Sequence, residues 1–304
     1  MAKAAAKKAS KKKSAAKKPL NVHKYRYFIV NIKIRRADTT ADLPTHEYSR
    51  IFKEFYQKFI VARSSKQKYC ILQTQGQRQI GTRSILFGKI VQFTDVNNNR
   101  WFNKKDRAID SKFKIPSEYA ANAVTAEYIF IPSRHRFVYQ YTVKDHIDPY
   151  SVKNYLRSAL TTHLSTGYNV DIDVESDLST IDRILEAPGI SRLYLRFNYS
   201  NNDFSKDMQE FVENDMKNSN VGEFRINAVQ KPGNPIDINK SQILAGGLEA
   251  SKSNGEADAT IIDANGHKER LKTKDMPRKL VIESTKDDQI NTLVNRISDE
   301  FREA

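Results

Sequence analysis

The chain has 304 residues, with 51 Lys and Arg against 36 Asp and Glu, a formal charge of +15. That length suits two domains, each with its own core, and the charge makes a polyanion the expected partner ahead of an acidic protein or a membrane surface. No apolar run approaches the roughly 18 residues that span a bilayer, and a lone cysteine, Cys70, supplies neither an internal disulfide nor a Cys-rich zinc site, which points to a reducing cytoplasm.

The charge is uneven along the chain. Residues 1–18 hold eight Lys and no acid among Ala and Ser; with no apolar face to bury, a disordered tail over 1–20 is expected, and it lacks the apolar segment of a signal peptide. Residues 19–107 carry eighteen Lys and Arg against six acids, whereas residues 108–304 carry 25 against 30. The basic character therefore belongs to the first third, and the remainder is mildly acidic.

In chain order, residues 23–35 alternate as a strand, with Phe28, Val30, Ile32 and Ile34 on one face and Tyr27, Asn31, Lys33 and Arg35 on the other. Tyr48, Ile51, Phe52, Phe55 and Phe59 recur at helical spacing after Thr45, a residue able to cap. Strands are predicted at 68–74 and 85–93, joined by a polar stretch containing Gly76 and Gly81, and Gly88 suggests a bulge. A turn at 97–99 follows, and 106–125 reads as a connection because neither period persists. The pattern predicts a small, basic, strand-rich module with one helix over 21–120.

The remainder, 121–304, predicts an α+β domain. Strands at 128–131 and 136–141 flank a turn at 132–134; a helix begins at Asp148 or Ser151 and stops at Gly167; a strand at 170–174, a helix at 179–187 and a strand at 193–199 follow. A helix at 203–218, a loose segment near 232–265, a hairpin turn at Asn265-Gly266, a strand near 280–282 and a closing helix complete the order. This implies a mostly antiparallel sheet with helices on one side and ferredoxin-like elements.

Candidate chemistry falls in three places. Lys24, Arg26, Lys33, Arg35, Arg100, Trp101, Lys104 and Lys105 interleave cations with aromatics, the pattern in which charge holds phosphates and rings stack on unpaired bases. Asp171, Asp173 and Glu175 share one face of a strand, which could hold Mg²⁺ for phosphodiester cleavage, although a solvent face gives the same alternation. His135, between Arg134 and Arg136, could act as an acid or base, and Arg157 with His163 has the spacing of some helical ribonucleases. Walker, dinucleotide-binding, His-Glu-x-x-His and Gly-x-Ser-x-Gly patterns are absent from the sequence.

Residues 87–95 (FGKIVQFTD) running on to 101–103 (WFN), and 129–137 (IFIPSRHRF), resemble a bacterial family known only as a domain of unknown function, over roughly residues 24–285. The resemblance implies no activity and no catalytic residue; the distribution of such proteins suggests mobile elements or phage defence. The function expected is therefore nucleic-acid binding without catalysis or cofactor, RNA or single-stranded DNA favoured over duplex, with the acidic C-terminal part serving a protein partner or self-association. A metal-dependent nuclease or toxin-type effector is the alternative, and Mg²⁺ enters only there.

Overall fold

The computed structural model describes residues 21–39, 41–96, 100–110, 112–197, 219 and 221–301. The Lys-rich tail, the turn at 97–99 and the helix expected at 203–218 lie outside them. The first elements are β1 (His23–Arg36), α1 (Thr45–Gln57), β2 (Ala62–Arg63), β3 (Lys68–Ile80), β4 (Arg83–Thr94), β5 (Trp101–Asn103), β6 (Ala108–Asp110), β7 (Ala121–Ile131) and β8 (Arg136–Tyr141). There follow α2 (Pro149–Leu164), β9 (Tyr168–Val174), α3 (Leu178–Leu185), β10 (Gly189–Phe197), β11 (Phe224–Val229), α4 (Gln242–Asn254), β12 (Gly255–Ile262), β13 (Lys268–Lys272), β14 (Lys279–Ser284) and α5 (Gln289–Glu300). The chain is α+β, and every strand ladder is antiparallel.

The main sheet has the order β14-β1-β8-β7-β4-β3-β2, with β9 beside the second half of β1. A boundary at residue 120 would cut between β4 and β7, which are hydrogen-bonded neighbours. The chain instead leaves this sheet after β9, builds a second sheet in the order β11-β10-β12-β13, and returns with β14 to pair with the first half of β1.

Both faces of the main sheet are covered. Phe28, Val30, Ile32 and Ile34 pack with Tyr48, Ile51, Phe52 and Phe55 of α1 and with Val152, Tyr155 and Leu156 of α2. Phe52 stacks on Phe130 with ring centres 3.9 Å apart. Tyr27 and Ile29 point the other way, into a cluster with Leu293, Val294 and Ile297 of α5. Helices thus flank both faces rather than one, because a strand in the middle of a covered sheet is apolar on both sides.

Local signals explain the helix ends. Asp148 Oδ2 accepts from the Ser151 amide at 2.9 Å, and Asp177 Oδ1 accepts from the Ser179 amide at 3.2 Å, so each satisfies a first-turn donor. Helix α1 starts after Pro44 without a side-chain cap from Thr45. It ends at Gln57, so Phe59, expected on its apolar stripe, sits at φ 47° and is exposed. The segment 232–265, expected to be loose, holds α4 and β12, whose Leu248, Ala257 and Ala259 pack with α3 and β10 in a second core. The Asn265-Gly266 turn forms as expected, with Gly266 at φ 82°.

Candidate nucleic-acid interface

Among the described residues, strands β5 and β6 make a two-stranded sheet of their own, with no ladder to either larger sheet. Asn103 closes its turn: the side-chain Oδ1 accepts from the amides of Lys105 (2.9 Å) and Asp106 (3.2 Å), and Arg107 completes the reversal at φ 50°. Phe102 pairs with Ile109 across the ladder, placing both on one face, and Phe102 is 60% exposed. Asp110 Oδ1 then accepts from the amides of Lys112 and Phe113, which turns the chain so that the Phe113 ring meets Trp101 edge-on at 5.3 Å.

Around these rings stand Arg100, Lys104, Lys105, Arg107, Lys112 and Lys114, all exposed. Among the described residues none of the six is in an ion pair. Residues 100–114 hold six cations against two Asp. Arg107, Lys112, Phe113 and Lys114 escape a sequence reading because two strands of three residues are too short for a period to show. The one local signal is an Asn before Lys-Lys-Asp, a side chain suited to closing a turn.

The eight residues expected to contact nucleic acid separate into three groups. Arg100, half-buried Trp101, Lys104 and Lys105 lie on the hairpin. Lys24 and Arg26 are exposed on β1, with Lys24 Nζ 3.1 Å from Glu283. Lys33 and Arg35, however, are only 3% and 4% exposed; Lys33 pairs with Asp42 at 2.9 Å and Arg35 with Asp171. Neither reaches a ligand.

The carboxylate row explains why. In the register of β1 and β9, Lys33 lies opposite Asp171 and Asn31 opposite Asp173, so the polar face of one strand meets the acidic face of the other. Asp173 Oδ1 accepts from Lys153 Nζ (2.7 Å) and Arg196 Nη2 (3.2 Å), and Glu175 Oε1 lies 3.0 Å from Arg136 Nε. Burial raises the Asp171 carboxyl above its usual range, against the pull of Arg35. Asp171, Asp173 and Glu175 are thus committed to cations rather than gathered around an open position, and no three His, Cys, Asp or Glu side chains among the described residues are grouped as a metal site.

His135 is likewise interior. It occupies the left-handed region at φ 53° after the Pro132–Arg134 turn, is 2% exposed, and stacks on Tyr48 at 4.2 Å. Burial, with the charges of Lys33 and Arg136, lowers its pKa to about 2, so it stays neutral and cannot exchange protons with a ligand. Arg157 and His163 do not converge: Arg157 Nη2 donates to the Ile172 carbonyl at 3.0 Å, whereas His163 faces Glu54 and Phe55 of α1. Six residues at 100° each put them on different sides of α2. Burial also raises the Cys70 thiol to about 11, leaving it protonated and inert.

Fold and surface together define an α+β protein that presents a basic, aromatic hairpin. The chain belongs to the family described as domain of unknown function DUF4747, whose match covers residues 23–299. No curated protein matches it. Among the described residues, no helix is long and apolar enough to cross a membrane.

Proposed function

We propose that this protein binds nucleic acid through the β5–β6 hairpin, with Lys24, Arg26 and the Lys-rich residues 1–18 adding contacts to the phosphate backbone. The observation that carries the reading is the exposure of Phe102, Phe113 and Tyr119 within and just beyond a segment of six exposed cations. Cations alone would suit any polyanion; rings held open to solvent beside them suit unpaired bases, so RNA or single-stranded DNA is preferred to duplex. The protein acts without catalysis or cofactor, in the cytoplasm, and its acidic remainder serves a protein partner or a second copy. A role in phage defence or a mobile element follows from the family resemblance alone.

Fluorescence anisotropy with labelled single-stranded RNA, single-stranded DNA and duplex tests this over a salt series. The binding constant on single strands should fall on a log–log plot with a slope of about −0.7 per neutralised phosphate. Phe102→Ala should weaken single-strand binding by about 1–3 kcal/mol and duplex binding much less, and Lys104→Ala with Lys105→Ala should flatten the salt slope. An affinity insensitive to salt, or indifferent to both variants, sinks the reading.

A further inference from the structure

A second polar feature lies far from the hairpin in sequence. Between α2 and the second sheet is a cleft of about 440 Å³, within the roughly 300–1,000 Å³ range of small-molecule sites. Its floor is a closed charge network. Arg196, whose side chain is 12% exposed, donates Nη2 to Asp173 at 3.2 Å, Nη1 to Glu223 at 3.1 Å and Nε to Glu256 at 3.1 Å. Lys153 supplies a second cation to Asp173 and exposed Arg225 a second to Glu223, whose carboxyl is held below its usual range by the two guanidinium groups although burial opposes the shift.

The rim differs from the floor. Arg157 and Lys274 are exposed, and among the described residues neither is in an ion pair. Arg157 commits Nη2 to the Ile172 carbonyl, out of five guanidinium donors. Lys274 Nζ stands 5.6 Å from the centre of the Tyr150 ring, and Tyr194 lines the same cleft, half-buried like Tyr150. The carboxylates at the floor are held by buried or neighbouring cations at hydrogen-bonding distance, whereas among the described residues the two rim cations make no ion pair, Arg157 acting on Asp171 only through space. Past Asn154 and Arg157 the cleft opens into a shallower depression of about 400 Å³ bounded by Arg63 and Lys66, so cations continue along the exposed side of α2.

We propose that this cleft binds a phosphate ester, with Arg157 and Lys274 taking the phosphate oxygens and Tyr150 and Tyr194 contacting the attached nucleoside. Arg is suited to forked contact with phosphate, and Lys to a point charge beside it. Asp173 holds Lys153 and Arg196 at the floor of the cleft. The site does not rest on the hairpin reading. The ester is either a free nucleotide or one phosphate of a nucleic-acid strand.

The test uses the full chain, titrated calorimetrically with uridine monophosphate and with a short single-stranded oligouridylate. Saturable binding of at least one probe is expected, weakened roughly tenfold or more in Arg157→Ala and in Lys274→Ala and recovered in part by Arg157→Lys. Both side chains are exposed, so the variants retain the fold; Arg196→Ala would not serve, because it removes a buried cation shared by three carboxylates. Loss for uridine monophosphate alone assigns the site to a free nucleotide, and loss for the oligouridylate, with or without the monophosphate, to a strand. If neither probe binds, or neither loses affinity in either variant, the proposal is overturned. The pair Lys104→Ala and Lys105→Ala separates the two sites: a defect confined to that pair overturns the cleft and leaves the hairpin, and a defect confined to the cleft variants does the reverse.

Discussion

At position 135 one residue must satisfy two demands. The backbone at φ 53° ends the turn between β7 and β8, and its carbonyl accepts from the Ile32 amide at 2.8 Å, joining the turn to β1. The ring fills the space over Tyr48, while the Nδ1 atom is buried without a hydrogen-bond partner among the described residues. Because the folded protein holds this imidazole neutral and the unfolded chain protonates it near pH 6.5, stability is retained above that pH and lost below it. The loss from this residue is about 1.4 kcal/mol per pH unit. His135→Asn keeps a residue that tolerates the left-handed region and removes the titration. Urea unfolding at pH 7 and pH 5 should therefore show a smaller pH-dependent loss in the variant; equal losses would refute the assignment.

Among the elements, the β3–β4 hairpin shows how a sequence signal can be right in kind and displaced in place. Gly88 suggests a bulge in β4, and the register does shift here, but the extra residue lies on the partner strand, between Leu72 and Thr74. The Thr74 carbonyl presses so close to Gly88 that an added Cβ would sit 1.9 Å from its oxygen. Gly88→Ala should cost about 2–4 kcal/mol, in the range of a forced backbone shift in a packed region, and a loss of unfolding free energy in urea of under about half a kcal/mol would contradict it. The polar stretch expected to join the two strands is itself strand, and the turn is only Gly81-Thr82, with Gly81 at φ 57°. Hairpin β5–β6 is the opposite case. Lacking neighbours in a larger sheet, it depends on its turn, so Asn103→Ala should speed amide exchange over residues 101–110 while leaving the global melting temperature in place.

For the molecule as a whole, closure comes from the end of the chain. β14 completes one edge of β1, and α5 covers the face that α1 and α2 leave open. Phe301 carries Arg136 4.2 Å above its ring and Arg278 at 5.5 Å. If this return is integral, Leu293→Ala should cost about 2–5 kcal/mol, comparable with Leu156→Ala on the other face; a cost near zero would make α5 an appendage. The sequence by itself determined the basic-to-acidic gradient, most strands and helices, Asp148 as one of two candidate starts of α2 and the Asn265-Gly266 turn, because charge, period and turn chemistry are local properties. It also separated two alternating polar faces, Asn31, Lys33 and Arg35 on one strand and Asp171, Asp173 and Glu175 on another. Only the tertiary structure decided that these faces lie opposite each other in the β1–β9 ladder, joined by an ion pair between Arg35 and Asp171, residues 136 positions apart, while the other charges pair with further elements. Period 2 states which side chains share a face, not what covers that face. The same reason hid the α2 cleft, whose cations come from separate elements, and the exposure of Phe102 and Phe113 beside the cations of residues 100–114.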